Sequence, residues 1–379
     1  MGITTTFQNE VDGLLDRVAE RYPDAVCTDR RKRLRRFWGN RPAEDRVPYI
    51  VADFAPRPIW PEVNSAYSAL QRDLVLQLRG IIDHADWDDD YVPQLSTGLV
   101  QATLPAYFGA KERRASDSVE VIPVINEPED VERLPVIGFP PDSHGGMFLA
   151  KMRYFHEMIR GVMPIVMADM QGPFSVASQL WGIEPFLLAA YTDPEEISLL
   201  CRRSAAAATV YYRLMRDAVE NNWSPCHCFP CLWMPPDAGV CLSEDLLAVV
   251  SPDTTRQFIN PGLATLGEEF GRTLVHTCGS LNHTIGALAE VDTLFGVNCS
   301  SSETDVRKLV STSGDRFCYI IHHALVHDPA LPVLEIDKQA ALVRDVFGDR
   351  LAAIAILTPV TGPVSAERDA ARVRHAAEL

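Results

Sequence analysis

Thr273–Cys278 (TLVHTC), Thr293–Cys299 (TLFGVNC), Phe317–His322 (FCYIIH) and Leu351–Leu357 (LAAIAIL) decide how this chain is read. Each is a short apolar run rich in β-formers, bounded by turn residues, as a buried strand requires. Between them lie helical stretches. Ser280 to Glu290 reads as one. Ser302-x-x-Asp305 has the form of a capping box opening a second, which stops near Gly314, and Asp337 caps a third ending near Gly348. Strand and helix alternate three times before a last strand, and that alternation implies a parallel sheet.

The first half carries weaker copies. Val47–Phe54 (VPYIVADF), Met163–Asp169 (MPIVMAD) and the proline-broken Pro225–Trp233 (PCHCFPCLW) read as strands, with one more near Tyr91–Leu95. About eight strands fit a closed (β/α)8 barrel better than an open sheet. Residues 47–365 are read as the barrel, 1–46 as an N-terminal helical segment and 366–379 as a tail. Proline followed by acids marks three helix starts, at Pro128, Pro194 and Pro252, the second helix running to about Asn221.

Composition sets limits. Of 379 residues 47% are hydrophobic, and the formal charge of −16 argues against nucleic acid or an anionic membrane surface as partner. The basic run Arg30–Arg36 (RRKRLRR) reads as a solvated helix face or a docking patch for an anion. No apolar run of ~18 residues could span a bilayer, and Met1–Asp16 lacks the apolar core of a secretory signal. The nine cysteines, odd in number and irregularly spaced, suit a reducing cytoplasm, where clustered thiols point to metal or catalysis.

His276-Thr277-Cys278-Gly279 is the sharpest chemical feature. Residues two apart in a strand point the same way, so His276 and Cys278 project together where the strand ends. Imidazole nitrogen and thiolate sulfur are both zinc ligands. A core Cys beside a hydrogen-bonded His is the alternative reading. A second cluster, Cys226-His227-Cys228-Phe229-Pro230-Cys231, divides its donors between two strand faces. Asp169, ending a strand before Gln171-Gly172-Pro173, reads as a substrate-orienting or ligand-supporting acid, or as a simple turn cap. Trp233 and Asp237 read as lining the cleft after a strand. Of His322 and His323, at most one faces inward.

These pieces carry a resemblance. Leu274–Gly279 (LVHTCG), Asp169–Gly182 (DMQGPFSVASQLWG), Gly239–Pro252 (GVCLSEDLLAVVSP), Phe258–Pro261 (FINP), Tyr191–Glu196 (YTDPEE) and Asn126–Leu134 (NEPEDVERL) resemble, in order and spacing, the uroporphyrinogen decarboxylase superfamily, and look closest to its methyltransferase-like branch. The similarity spans roughly residues 30–357. It implies one (β/α)8 barrel with a cleft at the strand C-termini. It also implies a His-x-Cys pair that binds zinc with a distant Cys, and a substrate thiol methylated from a corrinoid.

Two departures stand out. The family's late Cys is missing from Leu351–Val364, where Thr358 falls near its place. The expected metal set is therefore His276, Cys278 and Cys299, with His322 or His323 as the other candidates for third ligand. The decarboxylase's arginine-rich signature is also absent, only Arg57 following the first strand candidate. Asp142-Ser143-His144-Gly145-Gly146 is close to the corrinoid-binding D-x-H-x-x-G but has Met147 at the last position. A corrinoid is then expected on a separate protein or as a free ligand, not covalently bound.

The function expected is zinc-dependent methyl or alkyl transfer to a thiol or similar small-molecule nucleophile. His276, Cys278 and Cys299 are expected on metal, Asp169 and His322 in catalysis, and Gln171, Trp233 and Asp237 at the cofactor. A metal-free decarboxylase or lyase and a non-catalytic corrinoid or tetrapyrrole carrier are the alternatives.

Overall fold

The computed structural model describes residues 5–42, 44, 46–51, 60–98, 103–114, 119–226, 232–322, 336–348 and 351–357. Its strands are β1 Tyr49–Val51, β2 Leu95–Ser96, β3 Glu112–Arg114, β4 Val119–Val121, β5 Ile165–Val166, β6 Trp223–Ser224, β7 Val240–Ser243, β8 Thr273–His276, β9 Leu294–Ser300, β10 Cys318–His322 and β11 Ala353–Leu357. Six of them form a parallel sheet in the order β1-β11-β10-β9-β8-β7, and three form a second parallel sheet, β2-β5-β6. β3 and β4 make a separate antiparallel hairpin.

Backbone bonds join the two larger sheets. Beside β7, Ser243 N donates to Met170 O, Gly172 N to Ser243 O and Cys241 N to Pro225 O. At the opposite edge Asp90 N, just before β2, donates to Tyr49 O of β1.

The run β8 to β11 matches the alternation expected from sequence. β9 and β10 are buried at every position, as strands covered on both faces must be. The helix expected over Ser280–Glu290 is shortened to Ile285–Leu288. Asn282 explains this: its side chain exchanges bonds of 2.8 Å with both N and O of Asp305, and His283 Nε2 lies 3.0 Å from Val250 O. Those ties hold the segment in turns. Nor does Ser302 cap the following helix. Asp305 does, accepting from Arg307 N and Lys308 N ahead of Val306–Ser313.

Helix Pro194–Ala218 starts at its proline as expected and turns a stripe of Ile197, Leu200, Ala208, Tyr211 and Met215 into the core. Residues 5–38 form two helices, Thr5–Arg21 and Asp24–Trp38. The basic run lies on the second and is not wholly solvated. Arg30 is buried and donates to Tyr91 O at 2.8 Å, while Arg33 Nε meets Asp90 at 2.7 Å. These arginines fasten the N-terminal segment beside β1. Among the described residues no helix is long and apolar enough to cross a membrane.

Candidate metal centre

Register builds the site. Ser243 pairs with His276, His276 with Asn298 and Asn298 with Ile320 across β7, β8, β9 and β10. Level residues of parallel strands share a face, so Ser243, His276 and Asn298 form one row. His322 pairs with Ser300, two residues beyond Asn298, and faces the same way. All four polar side chains sit within largely apolar strands, and all are buried.

Buried polar groups need partners. His276 Nδ1 lies 2.6 Å from Asn298 Oδ1, and Asn298 Nδ2 lies 2.9 Å from Ile320 O and 3.1 Å from His322 Nδ1. The His276 and His322 rings stack at 5.7 Å. On its other side His276 Nε2 lies 3.3 Å from Cys278 Sγ. Cys278 N donates to Asp245 Oδ1 at 3.0 Å. One donor atom from each of Asp245, His276 and Cys278 lies within 4.8 Å of the others. An imidazole nitrogen, a sulfur and a carboxylate oxygen in that space are a fit donor set for Zn2+.

Cys278 is held as a thiol. Burial pushes its pKa up to about 12, and the nearby charges of Asp245, Glu303 and Asp169 push the same way. A cation entering here must therefore displace a proton.

Asp245 owes its place to Glu244. That residue is fully buried and its carboxylate accepts from Phe174 N (2.9 Å), Ser175 N (3.0 Å) and Ser175 Oγ (2.7 Å), at the start of helix Pro173–Trp181. Its own N donates to His276 O at 2.9 Å. Burial pushes the Glu244 carboxyl up to about 7, against the pull of those donors.

The residues singled out in the sequence divide into two groups. His276, Cys278, Asp169, Gln171 and His322 come together. Asp169 Oδ1 accepts from Ser243 Oγ at 3.1 Å, and Gln171 bridges Ser243 through its backbone. Cys299 pairs with Ile321, one residue out of step with Asn298, so it faces away from His276. Burial pushes that thiol too up to about 12, with a Thr304 hydrogen bond opposing. Asp245, not Cys299, stands with the His-x-Cys pair.

Trp233 and Asp237 lie elsewhere. They precede β7, while His276 and Cys278 follow the body of β8. Trp233 O accepts from Trp38 Nε1, whose ring packs on Phe295 near the start of β9. The Trp233 ring lies under the guanidinium groups of Arg31 and Arg35, and Asp237 is exposed beside Arg35. Both residues thus belong to the end of the sheet where strands begin.

His144 is likewise committed. Ser143 caps helix His144–Met158 through Gly146 N, and His144 Nδ1 contacts Glu112. The segment 142–146 is thus a helix start whose imidazole is tied to Glu112 through Nδ1. Cys226 is buried in the core. His227, Cys228, Cys231, His323, Thr358 and Arg57 lie outside the described residues.

Sequence reading missed Asp245 and Asn298. The signal for the first was two acids directly after the strand VCLS, a place where barrel enzymes put working residues. The signal for the second was a lone amide inside an apolar strand.

No family model and no curated sequence matches the chain. In fold it is similar to a methyltransferase from Methanosarcina mazei, at TM-score 0.64 and 17% identity, over 91% of this chain and 97% of that one. At that identity the likeness establishes a shared fold across nearly the whole of both chains.

Proposed function

We propose that this chain is a cytoplasmic, zinc-dependent methyl or alkyl transferase. It would be built as a uroporphyrinogen-decarboxylase-like (β/α)8 barrel, of the methyltransferase-like branch. The observation that carries the reading is the grouping of Asp245, His276 and Cys278 within 4.8 Å. The shared fold with a methyltransferase from Methanosarcina mazei supports it.

His276, Cys278 and Asp245 would hold a cation whose positive charge would keep a substrate thiol as thiolate at neutral pH, the thiol proton leaving to solvent. The sulfur then attacks the methyl carbon, a C–S bond forms, and the donor departs with the electron pair of the bond it loses. A corrinoid on a separate protein, or free, is the donor proposed. His276, Cys278 and Asp245 hold the centre. Asp169, through Ser243, and His322, through Asn298, border it and align the reactants, since in-line approach decides the rate.

The test is metal analysis of purified protein. One zinc per chain is expected in the wild type, with near-complete loss in His276→Ala and Cys278→Ala. Full zinc retention by His276→Ala overturns the proposal. Release of carbon dioxide from a carboxylated substrate by zinc-free protein would transfer the case to a lyase.

A further inference from the structure

We propose that Asn298 is a positioning residue that fixes the tautomer of His276, so that the Nε2 lone pair is presented toward Cys278 and Asp245. The argument starts from a backbone carbonyl. Ile320 O can only accept, and the Asn298 atom 2.9 Å from it must therefore be the amide nitrogen. That fixes which way the amide points. Its oxygen then faces His276 Nδ1 at 2.6 Å, and an amide oxygen can only accept. Nδ1 carries the proton. In a neutral imidazole the other nitrogen is then bare, and here that nitrogen faces Cys278 Sγ at 3.3 Å.

The same amide nitrogen lies 3.1 Å from His322 Nδ1. One side chain thus acts on two imidazoles, accepting from the first and donating to the second. In water the Nε2–H tautomer is the commoner form of histidine, and it has no lone pair to offer at Nε2. Asn298 reverses that preference. Its use as ligand support rests on the cation reading given above, whereas the tautomer itself does not.

Two readouts test this. In protein labelled with 15N-histidine and held at alkaline pH, where the rings are neutral, long-range 1H–15N correlations report each tautomer directly. Wild type is expected to show His276 as Nδ1–H. Asn298→Leu is expected to shift it wholly or partly to Nε2–H. Asn298→Asp keeps an acceptor for Nδ1–H, so it should retain the His276 tautomer while moving the His322 resonances.

Cobalt(II) titration of metal-stripped protein, followed by thiolate charge-transfer absorption, should show a 10–100-fold weaker site in Asn298→Leu, the range typical of lost support to a ligating histidine. Asn298→Asp should stay closer to wild type. An Nε2–H tautomer in the wild type overturns the proposal. So does an unchanged His276 tautomer in Asn298→Leu, or, if that variant does not fold, an unmoved His322 in Asn298→Asp. Wild type that shows the Nδ1–H tautomer but binds no cobalt would refute the cation reading and leave this assignment standing.

Discussion

Gly172→Ala isolates the contact on which the placement of Asp245 depends. Gly172 has φ −71, a conformation open to any residue, so alanine brings no backbone strain. The difficulty is space. A Cβ built there falls 2.2 Å from Glu244 Oε1, 2.3 Å from Cδ and 2.4 Å from Cγ. The carboxylate must retreat by about 1 Å, yet three donors grip it in a fully buried site.

Losing two of those three bonds, each worth about 1.5–3 kcal/mol when one partner is charged, predicts a loss of about 3–6 kcal/mol. Glu244→Ala alone should cost about 2–4 kcal/mol. It orphans two helix-start N–H groups, but it also removes a carboxylate whose burial is unfavourable. In that background the new methyl of Gly172→Ala enters vacated space, and its cost should fall below ~1 kcal/mol. Urea unfolding of the four proteins gives the cycle. The expected coupling is several kcal/mol. Additivity within ~0.5 kcal/mol would show that Gly172 and Glu244 do not share the contact and would refute the reasoning.

Two further expectations concern stability. Cys299 and Cys318 are wholly buried, and burial raises both thiols well above the ordinary value of 9.0. Raised native pKa values favour the protonated form, so their contribution is intact below pH 9. It declines above that at up to about 1.4 kcal/mol per pH unit for each thiol. Unfolding midpoints of Cys299→Ala and Cys318→Ala should fall less steeply than wild type between pH 9 and 11, and equal slopes would contradict the assignment. Asp90, also buried, receives Arg33 Nε and Arg46 Nη1 at 2.7 Å and Tyr49 N at 3.0 Å. Asp90→Ala should destabilise by about 3 kcal/mol and speed proteolysis within residues 24–46, whereas unchanged cleavage would mean the N-terminal helices dock without it.

How far the sequence could be read varied along the chain for physical reasons. β9 and β10 are long, buried on both faces and mostly apolar, so their pattern is local and visible. β5 and β6 contain two residues each, too few for any periodicity. Of the strand read at Pro225–Trp233, residues 227–231 lie outside the described residues, and the strand described just before them is Trp223–Ser224. Trp233 and Asp237 were read as following a strand, but what they lead into is β7. Cys299 was chosen because it ends a neighbouring strand. Adjacency of strands was right, but the face depends on register, and register is not written in a single segment.

Register also explains why the site and the core cannot be altered separately. The ladder that levels His276 with Asn298 equally levels Val275 with Val297, both buried on the opposite face. A slip of one residue would exchange the two sets, placing imidazole and amide where valines pack. Each displaced polar group would then be buried without its partner, at about 1–3 kcal/mol apiece. The Asp169–Ser243 pair and the His276–Asn298–His322 chain of hydrogen bonds therefore contribute to specifying the sheet they sit in. Among the described residues, exposed ion pairs such as Arg113–Glu120 and Arg307–Asp345 carry no such constraint, because either partner can turn to water instead.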